Sequence, residues 1–457
     1  MQSDNSFATA PGALPLLGHT LRFLRDPLYF LRSLPAFGDV VTIRLGPVNA
    51  LMVCTPELIR RVLVDDRTFD KGGFLFDRGR EVMGNGLATC PYQEHRRQRR
   101  LIQPTFHQAN LPAYAREMSA QVRAAADAWQ PGRTIDVPAE MTMLSLRTAA
   151  ATFFSATPAA VRESLITDMA TIGTDAYRRM LLPPRAAAIP TPGKRRYDRA
   201  RTRFRQTVNR VIADYRADDI DRGDLMSMLL AAQDDLAGPG AQGHLSDEEI
   251  SDQVMTFFFG ATETLGASLA WALHLLGRHP SIEERLHAEV DAVVNDSVAT
   301  FEDLPRLEVT RNIITETLRL YPPAWLLTRI TTADTELGGR PVPAGTVVVY
   351  SPYLVHHRAD LYRDPERFDP DRWVPERAKT IPRDAYLAFG AGARKCIGDS
   401  FGMTEATLAL ATIAARWRLE PTPGRQVKAA PSAVLGPTGL HMRTLTREHE
   451  GERSLTT

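Results

Sequence analysis

The interpretation of this sequence rests on one stretch, Phe389-Gly390-Ala391-Gly392-Ala393-Arg394-Lys395-Cys396-Ile397-Gly398. Its glycines permit backbone angles that other residues avoid, so the chain can turn tightly around one sulfur atom. A helical pattern follows at once, and the dipole at its N-terminus would favour a thiolate at Cys396. Arg394 can reach an anionic group beside a metal. The stretch therefore predicts a thiolate metal ligand at Cys396 and not an inert buried cysteine.

Composition excludes several classes of protein. The chain has 457 residues, of which 44% are hydrophobic, enough for a large buried core. Its 55 basic and 54 acidic residues nearly cancel, which argues against a nucleic-acid partner. Only three cysteines occur (Cys54, Cys90 and Cys396), which is no disulfide framework and fits a reducing cytoplasm. We expect neither a secretory signal nor a membrane anchor, because no long apolar run is present.

Helical periodicity dominates and predicts a mainly α fold with a small β portion. The longest helix begins at Ser246, which forms a capping box with Glu249, and runs to about Gly277. Its centre is apolar nearly all round, so it should cross the interior. A second helix holds Asn312 to Leu320 and is stopped by Pro322-Pro323.

Strand signals are few. Val40–Ile43 and Leu51–Val53 flank a turn and predict a hairpin, and Thr346–Tyr350 predicts a third strand. Two stretches rich in Pro and Gly, Leu182–Lys194 and Asp234–His244, predict long loops. Because candidate site residues come from both sides of each loop, we expect a single domain over residues 1–457. Residues 1–20 and 447–457 are expected to be flexible.

The loop around Cys396 resembles the haem-binding signature of the cytochrome P450 family at each fixed position: Phe389, Gly390, Gly392, Arg394, Cys396 and Gly398. The family's other markers follow in the family's order, so the resemblance covers essentially the whole chain. It implies the P450 fold, with haem b bound through Cys396 and contacted by Phe389 and Arg394. It also implies a monooxygenase that inserts one atom of O2 into a C–H bond while the other leaves as water. Electrons would come from NAD(P)H through a ferredoxin reductase and a ferredoxin, and the protein would be a monomer.

The segment Glu316-Thr317-Leu318-Arg319 resembles the family's Glu-x-x-Arg helix. Residues three apart share a helix face, so the two side chains can pair. On a surface such a pair would contribute little. The resemblance implies instead a buried charged network, joined by Arg367 from Pro365-Glu366-Arg367-Phe368, that braces the cysteine loop.

The segment Gly260-Ala261-Thr262-Glu263-Thr264 lies midway along the longest helix and resembles the family's oxygen-binding groove. Gly260 and Ala261 would let O2 lie against the backbone, although Ala261 replaces a more usual glycine and should narrow the groove. Thr264 can bond back to its own helix. The resemblance implies that Thr264 and Glu263 are catalytic, with Glu263 on a proton route. Taken alone, the segment is equally consistent with a helix-packing surface.

The run His95-Arg96-Arg97-Gln98-Arg99-Arg100 would on its own be a solvated basic helix face. The resemblance implies that His95 and Arg99, which lie four apart on one face, contact the haem propionates. Histidine stands where the family often has tryptophan. Arg329 is the third expected propionate contact.

The same run predicts a docking surface for the electron donor. If His95 and Arg99 turn to the haem, Arg96 and Arg100 face solvent, and Lys395 adjoins the ligand. We therefore expect a basic face that would attract an acidic ferredoxin.

Several stretches resemble bacterial sesquiterpene oxidases within the family: HRRQRRLIQPTF from His95, Tyr177-Arg178-Arg179-Met180 and Ala324-Trp325-Leu326-Leu327-Thr328-Arg329. This implies a cyclic sesquiterpene substrate, specifically pentalenene, oxidised at a methyl to an alcohol and then an aldehyde in antibiotic biosynthesis. Apolar residues expected beside it are Phe257, Phe258, Phe259, Gly73–Phe76 and Ala324–Leu327. Three alternatives stay open: another terpenoid, polyketide or fatty acid as substrate; a peroxide-using enzyme; and a haem protein that only binds or senses.

Overall fold

The computed structural model describes residues 6–181, 189–218, 222–234, 243–294 and 298–447, with side chains except at residues 74, 75, 177, 178, 180 and 181. Its helices are α1 (Thr20–Arg25), α2 (Pro27–Ser33), α3 (Pro56–Val64), α4 (Phe74–Met83), α5 (Tyr92–Ile102), α6 (Leu111–Asp127), α7 (Val137–Phe153), α8 (Ala159–Leu181), α9 (Pro192–Asp218), α10 (Leu225–Ala231), α11 (Asp247–Leu276), α12 (Pro280–Val293), α13 (Glu308–Leu320), α14 (Pro352–His356), α15 (Pro375–Ala378) and α16 (Asp399–Arg416). Its strands are β1 (Ala8–Thr9), β2 (Val40–Leu45), β3 (Val48–Val53), β4 (Phe69–Asp70), β5 (Thr134–Asp136), β6 (Leu327–Thr331), β7 (Thr335–Leu337), β8 (Arg340–Val342), β9 (Val347–Tyr350), β10 (Trp417–Pro421), β11 (Lys428–Pro431), β12 (Leu435–Thr438) and β13 (His441–Thr446). The prediction of a mainly α fold with a small β portion is confirmed.

The strands form small sheets at the periphery of the helices. The largest has the order β1-β2-β3-β9-β6-β4, and a second has the order β10-β13-β5. The predicted hairpin is β2 and β3, which pair antiparallel from Val40–Val53 to Leu45–Val48. The third predicted strand is β9, which pairs parallel with β3 and antiparallel with β6.

The N-terminal segment is better ordered than the sequence suggested. Ala8 and Thr9 pair parallel with Val41 and Thr42 of β2. His19 is fully buried, with its Nε2 2.8 Å from the carbonyl oxygen of Ala10. The expectation of a flexible segment therefore does not hold for residues 8–19. Residues 1–5 and 448–457 lie outside the described residues.

The two predicted loops lie mostly outside the described residues as well. Helix α8 ends at Leu181 and α9 begins at Pro192, so the described part of the first loop is residues 189–191. In the second, Gln233 and His244 form an isolated β-bridge.

Helix α11 crosses the interior as predicted. Ser246 accepts a hydrogen bond from the backbone N–H of Glu249, whose carboxylate accepts in return from the N–H of Ser246, so the capping box is present. From Ile250 to Leu276 each residue is buried except Phe259, Gly260, Ala261, Glu263 and Thr264. Helix α13 ends at Leu320, just before Pro322-Pro323, which also matches the prediction.

Helix α16 carries an ionisable group in the core. Glu405 is 2% exposed, and its Oε1 has no hydrogen-bond partner among the described residues. Burial raises the pKa of Glu405 to about 8, with Thr148 of α7 acting in the opposite direction. The carboxyl is therefore largely protonated at neutral pH.

We expect Glu405→Gln to raise the free energy of unfolding most at alkaline pH. Because the folded-state pKa of about 8 exceeds the ordinary 4.5, the folded protein keeps a proton that the unfolded chain releases. The stability due to this proton is complete below pH 4.5 and is lost as the pH rises through about 8. The advantage of the variant should grow across this window by roughly 1.4 kcal/mol per unit of pKa shift.

Chemical denaturation of both proteins at about pH 5 and about pH 9 measures this difference. The exposed Glu284→Gln is the control and should show no such gain. An advantage of Glu405→Gln that does not change with pH would contradict the titration.

Candidate haem site

The cysteine loop is shaped by two glycines and closed by a backbone hydrogen bond. Gly390 and Gly392 have φ of +69° and +67°, angles that residues with a side chain rarely adopt. A Cβ on Gly392 would lie 2.2 Å from the carbonyl oxygen of Leu63, so the loop approaches α3 too closely for any other residue. The N–H of Cys396 donates to the carbonyl of Phe389 at 2.9 Å, which closes the loop. Helix α16 then begins at Asp399.

Cys396 differs from the other two cysteines. Cys54 and Cys90 are buried, whereas Cys396 is exposed. Burial raises the pKa of its thiol, and the N–H of Gly398 and the cations Arg99 and Lys395 lower it. Burial outweighs these donors, so the helix terminus alone does not hold a thiolate; a metal ion at the sulfur would.

A buried ion pair braces this loop. Glu316 and Arg319 are fully buried and joined by two hydrogen bonds of 2.9 and 2.8 Å. Arg319 also donates to the backbone carbonyls of His356, Pro365 and Arg367. The ring of His356 accepts from the N–H of Leu387, and Leu387 accepts from the N–H of Gly390. The pair is thus connected to the cysteine loop through hydrogen bonds.

The second arginine of this network is not the expected one. Arg367 is exposed and takes part only through its carbonyl oxygen. The guanidinium beside Glu316 is that of Arg372, 4% exposed, whose Nε lies 3.3 Å from Glu316 Oε1. Trp373 Nε1 donates to the other carboxylate oxygen at 2.9 Å. The short 3-10 helix Pro370–Trp373 turns these two side chains inward, while the preceding turn leaves Arg367 outside.

Cations gather on the other side of the loop, around His95. This histidine is 1% exposed, and its Nδ1 has no partner among the described residues. Its pKa falls to about 3, mainly through burial and further through Arg394, Lys71, Arg99 and Arg329. The pKa of Lys71 falls to about 7 through burial and the charges of Arg329 and Arg394. Four cations thus repel one another around one neutral imidazole.

The arginines of this cluster have different partners. Arg394 donates to Asp70 at 2.6 Å and to the carbonyl of Cys90 at 2.8 Å, with Asp66 3.5 Å from its Nε. Arg99 donates to the carbonyl of Lys395 at 2.6 Å, which ties α5 to the cysteine loop. Arg329, on β6, is 3% exposed and lies over the ring of Tyr350. In the described residues neither Lys71 nor Arg329 has an ion-pair partner, so these two and His95 remain available to an anion.

An open space lies along the middle of α11. A Cβ on Gly260 would meet no atom within 4 Å, although this helix is otherwise packed on all sides. Thr264 lies one turn further and donates its hydroxyl hydrogen to the carbonyl of Gly260 at 2.6 Å, the back-bonding that the sequence predicted. Phe106 connects this helix to the cysteine loop: its ring contacts Phe257 at 5.2 Å and lies 3.8 Å from the Cβ position of Gly398.

Glu263 points towards α8. The Cβ position of Gly173 lies 2.8 Å from its Oε1, so the absence of a side chain there makes room for the carboxyl. Within the described residues Glu263 has no ion pair, and burial raises its pKa. Its carboxyl is therefore easier to protonate than an exposed one.

Comparison with known proteins agrees with this geometry. The sequence profile of the cytochrome P450 family matches residues 9–444. The chain belongs to the cytochrome P450 family. It is 49% identical to cyclooctat-9-en-7-ol 5-monooxygenase of Streptomyces melanosporofaciens over 91% of this chain and 90% of that protein. It is 46% identical to pentalenene oxygenase of Streptomyces avermitilis, over 96% and 97% of the two chains.

A solved structure gives the same fold. The haem domain of cytochrome P450DA superposes with a TM-score of 0.85 at 26% identity, covering 97% of this chain and 98% of that one. This P450 is accordingly a haem-dependent monooxygenase that uses O2 and takes electrons from a redox partner. Among the described residues, none of the helices is both long and apolar enough to span a bilayer.

The residues of this chain fit a haem. Its two propionates are carboxylates, and the cluster of Lys71, His95 and Arg329 is a buried set of donors short of negative charge. Cys396 would bind the iron. The bound haem supplies oxidising chemistry that no side chain possesses. Arg394 forms ion pairs with Asp70 and Asp66, which tie the cysteine loop to β4, and its expected contact with the haem stays a prediction.

Lys71, Asp66, Asp70 and Arg372 were missed by sequence reasoning. Lys71 follows β4 directly, and its Nζ donates to the carbonyl of Ala88. A lone lysine after a two-residue strand carries no recognisable pattern. Arg372, by contrast, stands four residues after the end of the quoted Pro-Glu-Arg-Phe segment and next to Trp373, a signal that could have been used.

The apolar residues expected at the substrate divide into two groups. Phe257 packs against Phe106 and Phe153, and Phe258 packs against Phe153, Phe154 and Phe204, so both rings belong to the core. Trp325 is also buried, with its Nε1 donating to Ser432. The half-buried residues that remain available to a substrate are Phe259, Phe76, Ala324, Leu326 and Leu327. The side chains of Phe74 and Leu75 lie outside the described residues.

The expected docking face is less basic than the sequence suggested. Arg96 and Arg100 are exposed, as predicted. Arg100 however forms a two-point ion pair with Asp234, and Lys395 pairs with Asp399. Of these three cations only Arg96, which lies over the ring of Tyr92, has no carboxylate partner in the described part of the chain.

Replacing Cys396 with Ala should remove the iron ligand while leaving the propionate contacts. We expect the reduced, CO-treated protein to lose its red-shifted Soret band, because that band requires a thiolate on the iron. The buried Cys90→Ala is the control and should keep the band. Persistence of the band in the Cys396 variant would rule out this cysteine as the ligand.

Proposed function

We propose that this P450 oxidises an unactivated methyl group of a cyclic terpene hydrocarbon, with pentalenene as the specific candidate. The interruption of burial at residues 259–264 of α11 carries the proposal. There a buried apolar helix becomes less covered at Phe259, Gly260 and Ala261, the Cβ position of Gly260 meets open space, and the hydroxyl of Thr264 lies one turn further. The relatives named above act, by their names, on a cyclic terpene alcohol and on pentalenene.

A hydrocarbon suits such a space for an energetic reason. Burial of apolar surface contributes about 25 cal/mol per Å², whereas a polar substrate would leave its own groups without partners. Half-buried apolar side chains from three elements, Phe76, Phe259 and Leu327, offer contacts but no anchor for charge. The first product, an alcohol, differs by one oxygen atom, so a second oxidation to the aldehyde in the same space is reasonable.

Thr264 and Glu263 are proposed to handle protons. The hydroxyl of Thr264 is held by the carbonyl of Gly260 and can accept a hydrogen bond while it donates this one. Burial raises the pKa of Glu263, so its carboxyl takes up a proton more readily than an exposed glutamate and could pass it on. The packed rings of Phe257 and Phe258 close the far side of the helix and exclude water there.

We propose a ferredoxin, reduced by NAD(P)H through its reductase, as the electron donor, and a monomeric protein in the bacterial cytoplasm. The donor would approach the side of the cysteine loop, where Arg96 is exposed and unpaired. Since Arg100 and Lys395 already pair with carboxylates, steering by charge should be weaker than the basic run alone suggests.

Thr264→Ala should uncouple electron use from product formation. Without the hydroxyl, proton delivery loses its positioned group, so product per NADPH should fall roughly tenfold or more. Haem content and the substrate-induced spectral shift should stay. Thr262→Ala is the matched control, because Thr262 bonds back to Phe258 in the same manner but is buried. Equal losses in both variants would indicate a packing role only.

The substrate proposal is tested with ferredoxin, its reductase, NADPH and pentalenene, followed by mass spectrometry. We expect an alcohol that is converted to an aldehyde on longer incubation. A parallel series with a cyclic diterpene, a macrolide and a fatty acid tests the other substrate classes. Turnover of the macrolide or the fatty acid without any pentalenene product would overturn the terpene assignment. If product forms only with hydrogen peroxide and none forms with the reductase system, the assignment as an O2-dependent monooxygenase is overturned.

A further inference from the structure

A second recess lies at the far end of α11, where the helix meets the C-terminal sheets. It has a volume of about 350 Å³. Its walls come from the end of α11, from the segment that joins β10 to β11, and from the turn that joins β12 to β13; the lining residues are His274, Arg278, Pro421, Thr422, Arg425, Gln426, Val427, Gly439, Leu440 and His441. We call it the C-terminal crevice.

Two buried polar atoms at the C-terminal crevice have no partner. His274 is 9% exposed, and its Nδ1 makes no hydrogen bond within the described residues. The same holds for the hydroxyl oxygen of Thr422. Buried polar groups in folded proteins are almost always hydrogen-bonded, so two unsatisfied atoms lining one recess indicate a ligand with hydrogen-bonding groups.

The charge of the crevice is of one sign. Its lining contains two arginines and two histidines but no carboxylate. Arg425 Nη1 lies 2.9 Å from His441 Nδ1, and neither Arg425 nor Arg278 has an ion pair in the described part of the chain. Asp136, whose carboxylate is 3.8 Å from His441 Nε2, is not part of the lining. Two guanidinium groups held at one recess without a counter-charge favour an oxyanion.

The fold keeps this recess open and adds an apolar wall. Gly277 packs against Pro421 and Met442, each within 2.9 Å of its Cβ position, which fixes the end of α11 against the sheet. Gly439 turns with φ of +72°, and a Cβ built on it would lie 3.2 Å from the carbonyl oxygen of Gln426. Leu440, 1% exposed, contributes apolar lining together with Pro421 and Val427. A recess of this volume is within the range for small organic ligands and exceeds what a bare oxyanion fills.

We propose that the C-terminal crevice binds the phosphoryl group of a small organic phosphate. Arg278 and Arg425 would neutralise the phosphoryl oxygens, and Thr422 and His274 would donate hydrogen bonds to them. The organic part would lie against Pro421, Val427 and Leu440. The pKa of His274, lowered to about 4 by burial and by Arg278 and His279, leaves a neutral imidazole with one N–H to donate at neutral pH.

The site is independent of the haem. His274 is ten residues beyond Thr264, about 15 Å along the helix axis at 1.5 Å per residue. A ligand there would contact the helix that carries Thr264 but not the cluster around His95. Binding can therefore be measured on the haem-loaded enzyme without competition from the propionate-binding cations.

The test uses isothermal titration calorimetry of the holoenzyme with phenyl phosphate, inorganic phosphate and sulfate at constant ionic strength. We expect phenyl phosphate to bind at one site, more tightly than inorganic phosphate, without a change in the Soret band. Arg278→Gln and Arg425→Gln should each weaken binding tenfold or more. The exposed Arg311→Gln, which has no carboxylate partner in the described residues, is the matched control and should leave it unchanged.

Four outcomes would overturn the proposal. They are absence of binding at millimolar phenyl phosphate, equal binding of sulfate, equal losses in Arg311→Gln, and a Soret shift on binding that places the ligand at the haem. Equal affinities for phenyl phosphate and inorganic phosphate would overturn the organic part of the ligand. Thr422→Val removes one donor without changing charge, and a severalfold loss there would support the direct contact.

Discussion

Two opposite charges at the centre of the fold, Glu316 and Arg319, are both withdrawn from water. Burying them costs several kcal/mol per ion and is tolerated only where the remaining donors and acceptors are satisfied. Here they are: Arg319 donates to three backbone carbonyls besides Glu316, and the carboxylate accepts from Arg372, Trp373 and the N–H of Asp369. Removing either partner would leave the other as an uncompensated buried charge.

The importance of this pair lies in what it connects. Its hydrogen bonds join α13 to the irregular segment that leads to the cysteine loop, and through His356 they reach Leu387 and the loop itself. That segment has little regular structure to hold it, so its carbonyl groups need partners from elsewhere. The planar guanidinium of one arginine supplies several N–H donors to these carbonyl groups in a fixed geometry. The position of Cys396 thus depends on charges that form no hydrogen bond with Cys396 itself.

The cations around His95 show the opposite arrangement. Lys71, Arg329, Arg394 and His95 lie close together, and the two carboxylates that form ion pairs here in the described residues, Asp66 and Asp70, both form them with Arg394. The repulsion between these cations is unfavourable in the isolated chain. When an anion binds among them, its attraction to the cations offsets that repulsion. The positive charge of the site is therefore not neutralised by the protein itself and is complementary to an anionic ligand.

Sequence alone determined the parts that obey local rules. The glycine angles around Cys396, the capping box and length of α11, the end of α13 before two prolines and the β2–β3 hairpin follow from short-range sterics and periodicity. Tertiary structure alone decided which side chain meets which. Arg372 and not Arg367 faces Glu316, Phe257 and Phe258 pack the core, Arg100 pairs with Asp234, and Lys71 enters the site. The reason is physical: a pattern fixes which face of an element is apolar, but a long charged or aromatic side chain selects its partner among groups brought close only by packing of distant segments.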